Sequence, residues 1–231
     1  MENFVAFCIM SAIPLALIAV LIVKIRQWRK DRELLRTVTD TWRGTRSERR
    51  LILSLLKMGF PPVTLYHDLY VEKSHNRYAQ IDAVMLTKVG IIVFEVKEYS
   101  GWIFGKGYYD YWTQTLARGR EKHRFYNPIK QNEGHINVLA NRLRNVADVP
   151  FYSVVVFYGN CEFRDVSYSG RNSYVCYSWQ LHSVLHEIQD INANARYADK
   201  RGLIKILERA VRNGADKEIV KQHIRNIRSS H

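Results

Sequence analysis

Gln80-Ile81-Asp82-Ala83-Val84-Met85-Leu86-Thr87-Lys88-Val89-Gly90-Ile91-Ile92-Val93-Phe94-Glu95-Val96-Lys97-Glu98-Tyr99-Ser100-Gly101 is the stretch whose reading decides the fold. Two apolar runs flank Lys88-Val89-Gly90, a β-hairpin signal with Gly90 free to take a positive φ at the turn. The second run, Ile91 to Val96, is β-branched and aromatic and reads as a buried strand. Residues i and i+2 of a strand share a face, so Glu95 and Lys97 stand side by side while Val96 turns the other way. Pairing Thr87 with Gly90 sets a register that brings Asp82 opposite Glu95. A turn one residue longer still leaves the two acids adjacent.

Cross-strand Cβ atoms lie roughly 4.5–5.5 Å apart. Two carboxylates that close repel unless a proton or a cation sits between them. A divalent cation with oxygen ligands, Mg²⁺ or Mn²⁺, meets that need. Lys97 then lies at the edge of the metal site, where it can orient a water and steady a phosphate charge. A lone Glu-x-Lys on a strand is ordinarily a solvated edge pair. Here it ends a run too apolar for an exposed strand, with an Asp set opposite.

Gln80-Ile81-Asp82, an apolar strand, a turn Gly, Phe94-Glu95-Val96-Lys97-Glu98-Tyr99-Ser100-Gly101 and the later Asn127-Pro128-Ile129-Lys130-Gln131 form an ordered set. Together they resemble the nuclease-related domain (NERD) family of the PD-(D/E)XK nuclease superfamily, over roughly residues 44–157. The resemblance implies a restriction-endonuclease-like α/β core, a mixed central sheet flanked by helices. It implies a metal held by Asp82, Glu95 and the Val96 carbonyl, with Lys97 positioning the attacking water. Gly44-x-x-x-Glu48 sits where such chains carry a Gly/Glu pair before the first helix, which adds Glu48 to the expected site. Gln131, following Asn-Pro, is expected to face it, and His135 shares its helix face at i+4. DNA is expected over RNA from the superfamily alone. The alternative is a nuclease fold kept for binding nucleic acid or a partner without turnover.

Phe4 to Val23 carries no charge and is long enough to cross a bilayer core of about 30 Å. Lys24, Arg26, Arg29, Lys30 and Arg32 follow it, which predicts a single-pass anchor in the cell (inner) membrane with the rest of the chain cytoplasmic. A cleaved signal peptide is the competing reading, but only Glu2 is charged before the segment and no small-residue cleavage site is clear. The 35 Lys and Arg against 22 Asp and Glu give a net charge of +13, which suits nucleic acid or anionic lipid. Three cysteines without a C-x-x-C spacing argue against disulfides and structural zinc.

The chain then divides into an anchor (1–24), a basic juxtamembrane linker (25–43), a nuclease-like core (44–160) and a carboxyl-terminal strand and helical extension (161–231). Thr45 to Met58 reads as a helix, with Leu51, Leu55 and Met58 on one face. Glu48 in its first turn also suits the helix dipole. Val63 to Val71 is a strand candidate. Two aromatic segments, from Gly101 and from Tyr109, read as an antiparallel pair. The loop after them holds Arg118, Arg120, Lys122 and Arg124, the expected contact with the DNA backbone. Asn127-Pro128 opens a helix, and Phe151 to Tyr158 reads as a central strand.

Overall fold

The computed structural model describes the backbone of residues 2–74 and 76–228, and all their side chains except those of 2–16 and 118. Helix α1 (Glu2–Arg36) leads into α2 (Arg46–Lys57), and then into the meander β1 (Leu65–Ser74), β2 (Arg77–Leu86) and β3 (Ile91–Glu98). A small sheet follows, with strands β4 (Gly101–Lys106), β5 (Tyr111–Leu116) and β6 (Glu121–Tyr126). Helix α3 (Pro128–Leu143) returns the chain to β7 (Phe151–Tyr158), followed by β8 (Cys161–Ser167) and β9 (Ser173–Tyr177). Helices α4 (Leu181–Ile191), α5 (Lys200–Ala215) and α6 (Lys217–Arg228) close the chain.

The main sheet has the order β1-β2-β3-β7-β9 and is mixed. The meander is antiparallel, while β7 runs parallel to β3 and to β9. Helices cover both faces. On one side Leu51, Ile52 and Leu55 of α2 and Leu185 and Ile188 of α4 meet Met85, Phe94 and Val154. On the other, Leu139 and Leu143 of α3 and Leu203 and Leu207 of α5 meet Val84, Ile91 and Val93. Burial on both faces explains why β3 and β7 read as continuous apolar runs rather than alternating ones. The fold is therefore α/β with mixed sheets flanked by helices, as the sequence implies.

The second sheet, β6-β5-β4-β8, grows from the first. Strand β4 begins three residues after β3 ends, β8 three after β7, and β4 and β8 pair in parallel as β3 and β7 do. Its inner face packs Ile103, Trp112 and Phe125 against Val155 and Phe157, with Trp112 stacked on Phe157 at 6.2 Å. The aromatic pair is thus largely core, while Tyr109, Tyr111 and Tyr126 remain exposed.

Two expectations change. The basic segment after β5 is only in part a loop: residues 117–120 make the turn, but residues 121–126 form the edge strand β6, paired from Leu116↔Glu121 to Tyr111↔Tyr126. Four successive charged or polar residues, Glu121 to Arg124, hid a strand of which only Phe125 is partly buried. The proposed anchor, Phe4 to Val23, falls mostly on side chains outside the described residues. Among the described residues no helix is long and apolar enough to cross a membrane. Helix α1 continues through the basic segment to Arg36, where Leu35 is buried and Asp31 pairs with Lys57 at 2.7 Å.

Candidate active site

The hairpin register is the one read from the sequence. Leu86 pairs with Ile91 and Ala83 with Phe94, and the Thr87 N–H donates to the Gly90 carbonyl at 2.9 Å. The β2–β3 ladder stops at Ala83↔Phe94, one step short of Asp82 and Glu95. Hydrogen-bonded pairs alternate along an antiparallel ladder, so Val96 would next donate to Ile81. Instead the Val96 N–H donates to Asp82 Oδ2 at 2.7 Å. A carboxylate has replaced a carbonyl in the ladder. The Val96 carbonyl, on the same edge of β3 as its N–H, faces β2 rather than β7.

Strand β1 breaks at the same level. Its ladder with β2 pairs His67 with Ala83 and Leu69 with Ile81, omitting Asp68 and Asp82, and Asp68 sits at φ +54°. Side chains change face there. Tyr66 and Leu69 both pack on the α3 side, although strict alternation would separate them. Across Asp82, Ile81 packs on the α3 side and Ala83 on the α2 side, again against alternation. The sheet therefore opens at one level across three strands, and the polar residues gather in that opening.

On the α3 side, Lys97 Nζ lies 2.6 Å from Glu95 Oε1 and donates to Gln131 Oε1 at 2.9 Å. His135, one turn beyond Gln131, places Nε2 3.3 Å from Glu95 Oε2. The cap that starts α3 fixes both helix residues: Asn127 Oδ1 accepts from the Ile129 N–H at 2.9 Å, and its Nδ2 ties down the β4–β5 turn. Asn132 on the adjoining face donates to the Val93 carbonyl and to Ser153, binding helix to sheet.

On the α2 side, Glu48 is buried behind its N-cap. Thr45 caps α2 and donates its hydroxyl to Glu48 Oε1 at 2.7 Å. Glu48 Oε2 lies 3.5 Å from His67 Nε2, and His67 Nδ1 is bonded to the Thr39 hydroxyl at 2.8 Å. Gly44, at φ +60°, passes so close that a Cβ there would lie 2.4 Å from Glu48 Oε2. The Gly44/Glu48 pair thus has a steric cause. Arg43 holds the loop by donating to Asp68 Oδ2 (3.2 Å), to the Asp68 carbonyl (2.7 Å) and to the Val211 carbonyl (3.0 Å).

Charge at the opening is unbalanced. Burial pushes the Asp82 carboxyl well above the usual range, and the charges of Glu95 and then Glu48 push it further. Burial disfavours the Lys97 ammonium, but Glu95 beside it outweighs this and raises its pKa, so the charge is kept. Burial also raises Glu48, yet hydrogen bonds from His67 and Thr45 outweigh it and hold it below the ordinary carboxylate value. Glu95 Oε2 and Glu48 Oε2 are buried, each facing a histidine Nε2, at 3.3 Å and 3.5 Å, without a well-formed hydrogen bond. Hard oxygens carrying excess negative charge suit a small hard cation. Among the described residues no three His, Cys, Asp or Glu form a group spaced to hold a metal. The set expected from the sequence, Asp82, Glu95 and the Val96 carbonyl, offers two carboxylates and one carbonyl.

The expected residues thus fall into two groups. Asp82, Glu95, Lys97 and Gln131 meet at one opening, Glu48 approaches it from the opposite face, and His135 joins Glu95. Arg120, Lys122 and Arg124 lie apart from them, exposed around the edge strand of the second sheet, with Arg124 over the Tyr111 ring at 4.7 Å. The side chain of Arg118 lies outside the described residues. Sequence reasoning missed His67, Asp68 and Arg43. The available signal was the polar His67-Asp68 pair inside the otherwise apolar strand Leu65 to Val71.

Comparison with known proteins identifies the family. An uncharacterized protein of Bacillus anthracis, pXO1-01, is 26% identical over 184 residues, covering 80% of this chain and 83% of its own. No solved structure matches the chain. Residues 43–158, half of the chain, match the nuclease-related domain, and that segment begins at Arg43, contains the whole opening and ends with β7: the chain belongs to the nuclease-related domain (NERD) family.

Proposed function

We propose that this protein is a metal-dependent nuclease that hydrolyses phosphodiester bonds of nucleic acid, with DNA as the favoured substrate. The observation that carries the reading is the convergence of Asp82, Glu95 and Lys97 where the ladder opens, with Val96 N–H on Asp82 and Lys97 held between Glu95 and Gln131. The element order α2-β1-β2-β3-α3-β7 supports the restriction-endonuclease-like reading of the core. Asp82, Glu95 and the Val96 carbonyl would hold Mg²⁺ or Mn²⁺, which supplies a water of lowered pKa and neutralises charge on the scissile phosphate.

The chain's own groups do the rest. Asp82 keeps an oxygen beyond the one bonded to Val96, free to face the ligand. Gln131 accepts one proton of the Lys97 ammonium and so aims the cation. A Lys97 held charged can donate to an attacking water or to a non-bridging phosphate oxygen as negative charge develops. Glu48, kept ionised by His67 and Thr45, adds negative potential behind Asp82. A binding module without turnover is the rival reading, and the close Lys97–Glu95 contact, which occupies one Glu95 oxygen, is the observation in its favour.

The test is incubation of the protein with labelled single- and double-stranded DNA and RNA in Mg²⁺, Mn²⁺ or EDTA. Cleavage that needs the metal and is lost in Asp82→Asn and Lys97→Ala supports hydrolysis. Binding without cleavage in every metal selects the rival.

The amino-terminal segment, residues 4–23, is proposed as the anchor in the cell membrane, with the carboxyl-terminal domain cytoplasmic. Support comes from its uncharged run and from Leu17 to Val23 and Ile25, which are exposed on all sides of α1. Extraction by carbonate, or a mature chain lacking these residues, would refute it.

A further inference from the structure

One cleft on the α2 side is not accounted for by the metal-site residues. It measures about 430 Å³ and has Glu48, Asp68 and Gln80 among its floor residues. Trp42 contributes one stretch of its wall and Lys217 and Lys221 of α6 another. Both stretches lie outside the 43–158 segment that defines the family.

Each stretch suits a different part of a nucleotide. Trp42 is 68% exposed, a large indole left in water. It is nevertheless held on a firm stem, because the next residue, Arg43, is buried and bonded to Asp68 and Val211. An exposed, pre-positioned aromatic face is a stacking platform for a base. Lys217 and Lys221 are four residues apart and share a face of α6. Lys221 pairs with Glu218 at the surface, whereas Lys217 makes no ion pair among the described residues. The floor is acidic: Glu48 stays ionised beside Thr45 and His67, while Asp68 is paired with Arg43 and bonded by Gln80. A phosphate is therefore turned away from the floor and toward the lysines, while the base lies over Trp42. The volume falls within the roughly 300–1,000 Å³ typical of ligand sites.

We infer that this cleft binds one nucleotide of a single-stranded nucleic acid, with its base stacked on Trp42 and its phosphate held by Lys217 and Lys221, and so delivers the strand to the opening beside Glu48. The inference rests on the nuclease reading and names how its substrate is gripped. A strand rather than a duplex fits, because both faces of a base within a duplex are covered by its stacked neighbours.

The test uses the full-length chain, a labelled oligo(dT) and EDTA to block turnover, with binding read by fluorescence anisotropy. Trp42→Ala should weaken binding roughly 5–150-fold, the range for losing one stacked base, and Trp42→Tyr should restore most of it. An abasic oligonucleotide should bind wild type more weakly and be indifferent to Trp42→Ala. Lys217→Gln with Lys221→Gln should flatten the slope of log K against log salt by about 1.4, two single-strand phosphate contacts. Equal binding by Trp42→Ala and wild type overturns the cleft. Binding of free dTMP as tight as that of the strand also overturns it, because the cleft then serves a mononucleotide. Wild-type cleavage that needs Lys97 but has a KM unmoved by Trp42→Ala sinks the cleft alone. A wild type that neither binds nor cleaves sinks the hydrolytic reading beneath it.

Discussion

Gly44→Ala tests the link between backbone and site most directly, with Gly59→Ala as its control. Both glycines have left-handed backbone, φ +60° at Gly44 and +90° at Gly59. Forcing an L-residue into that region costs roughly 1–2 kcal/mol in either case. Only Gly44 adds a collision. Its new Cβ would lie 2.4 Å from Glu48 Oε2 and 2.8 Å from the His67 ring, whereas a Cβ at Gly59 meets nothing within 4 Å. Glu48 and His67 are both buried, and His67 is tethered to Thr39, so neither can swing into solvent. Overpacking a buried site of this kind costs about 1–3 kcal/mol more. The expected losses are therefore about 2–5 kcal/mol for Gly44→Ala and about 1–2 kcal/mol for Gly59→Ala, read by urea denaturation. Cleavage should separate the two further, since only Gly44→Ala displaces the Glu48 carboxylate. Equal destabilisation within about 0.5 kcal/mol, with equal turnover, would refute the claim that Gly44 seats Glu48.

Other perturbations follow from the charge at the opening. Because Asp82 titrates higher folded than unfolded, the folded chain holds a proton that the unfolded chain has lost. Wild-type stability in EDTA should therefore fall as pH rises from the unfolded carboxylate range through the raised value. Asp82→Asn should flatten that fall and melt higher, and a steeper fall in the variant would contradict the assignment. Mg²⁺ at a hundred times its dissociation constant should stabilise wild type by about 2.7 kcal/mol and leave Asp82→Asn unmoved, as followed by thermal melting. Lys97→Ala should destabilise the fold by leaving the buried Glu95 with His135 alone beside it, and lower turnover about 10²–10³-fold, measured with metal saturating. Changing Arg120, Lys122 and Arg124 together to Gln should flatten the salt dependence of DNA binding by about 2–3. The same change at Arg29, Lys30 and Arg32 should leave that slope alone.

Much of this was legible along the chain. Local rules predicted the hairpin, because Thr87-Lys88-Val89-Gly90 leaves at most two registers, both of which set Asp82 beside Glu95. Period-two alternation put Lys97 beside Glu95. Asn127-Pro128 marked the start of α3, and with it the face that carries Gln131 and His135. Strand β6 escaped because all but Phe125 of its side chains are exposed, so its composition matched a loop.

What the sequence could not determine is how the sheet opens. Strict alternation describes a regular ladder, and the site exists because the ladder fails at Asp68, at Asp82 and beyond Phe94 together. Those breaks are held by distant groups: Arg43 grips Asp68 across 25 residues and reaches Val211 across 168. Linear spacing carries no sign of such bonds. Likewise His67 reads as a strand residue until Thr39, Gly44 and Glu48 close around it. Trp42 and Lys217 share a cleft only because α5 and α6 fold back over the β1–β2 hairpin. Sequence determined the residues whose partners lie within one turn or one hairpin. Tertiary structure alone decided those whose neighbours come from elements far along the chain, because their position depends on packing between elements and not on any period within one.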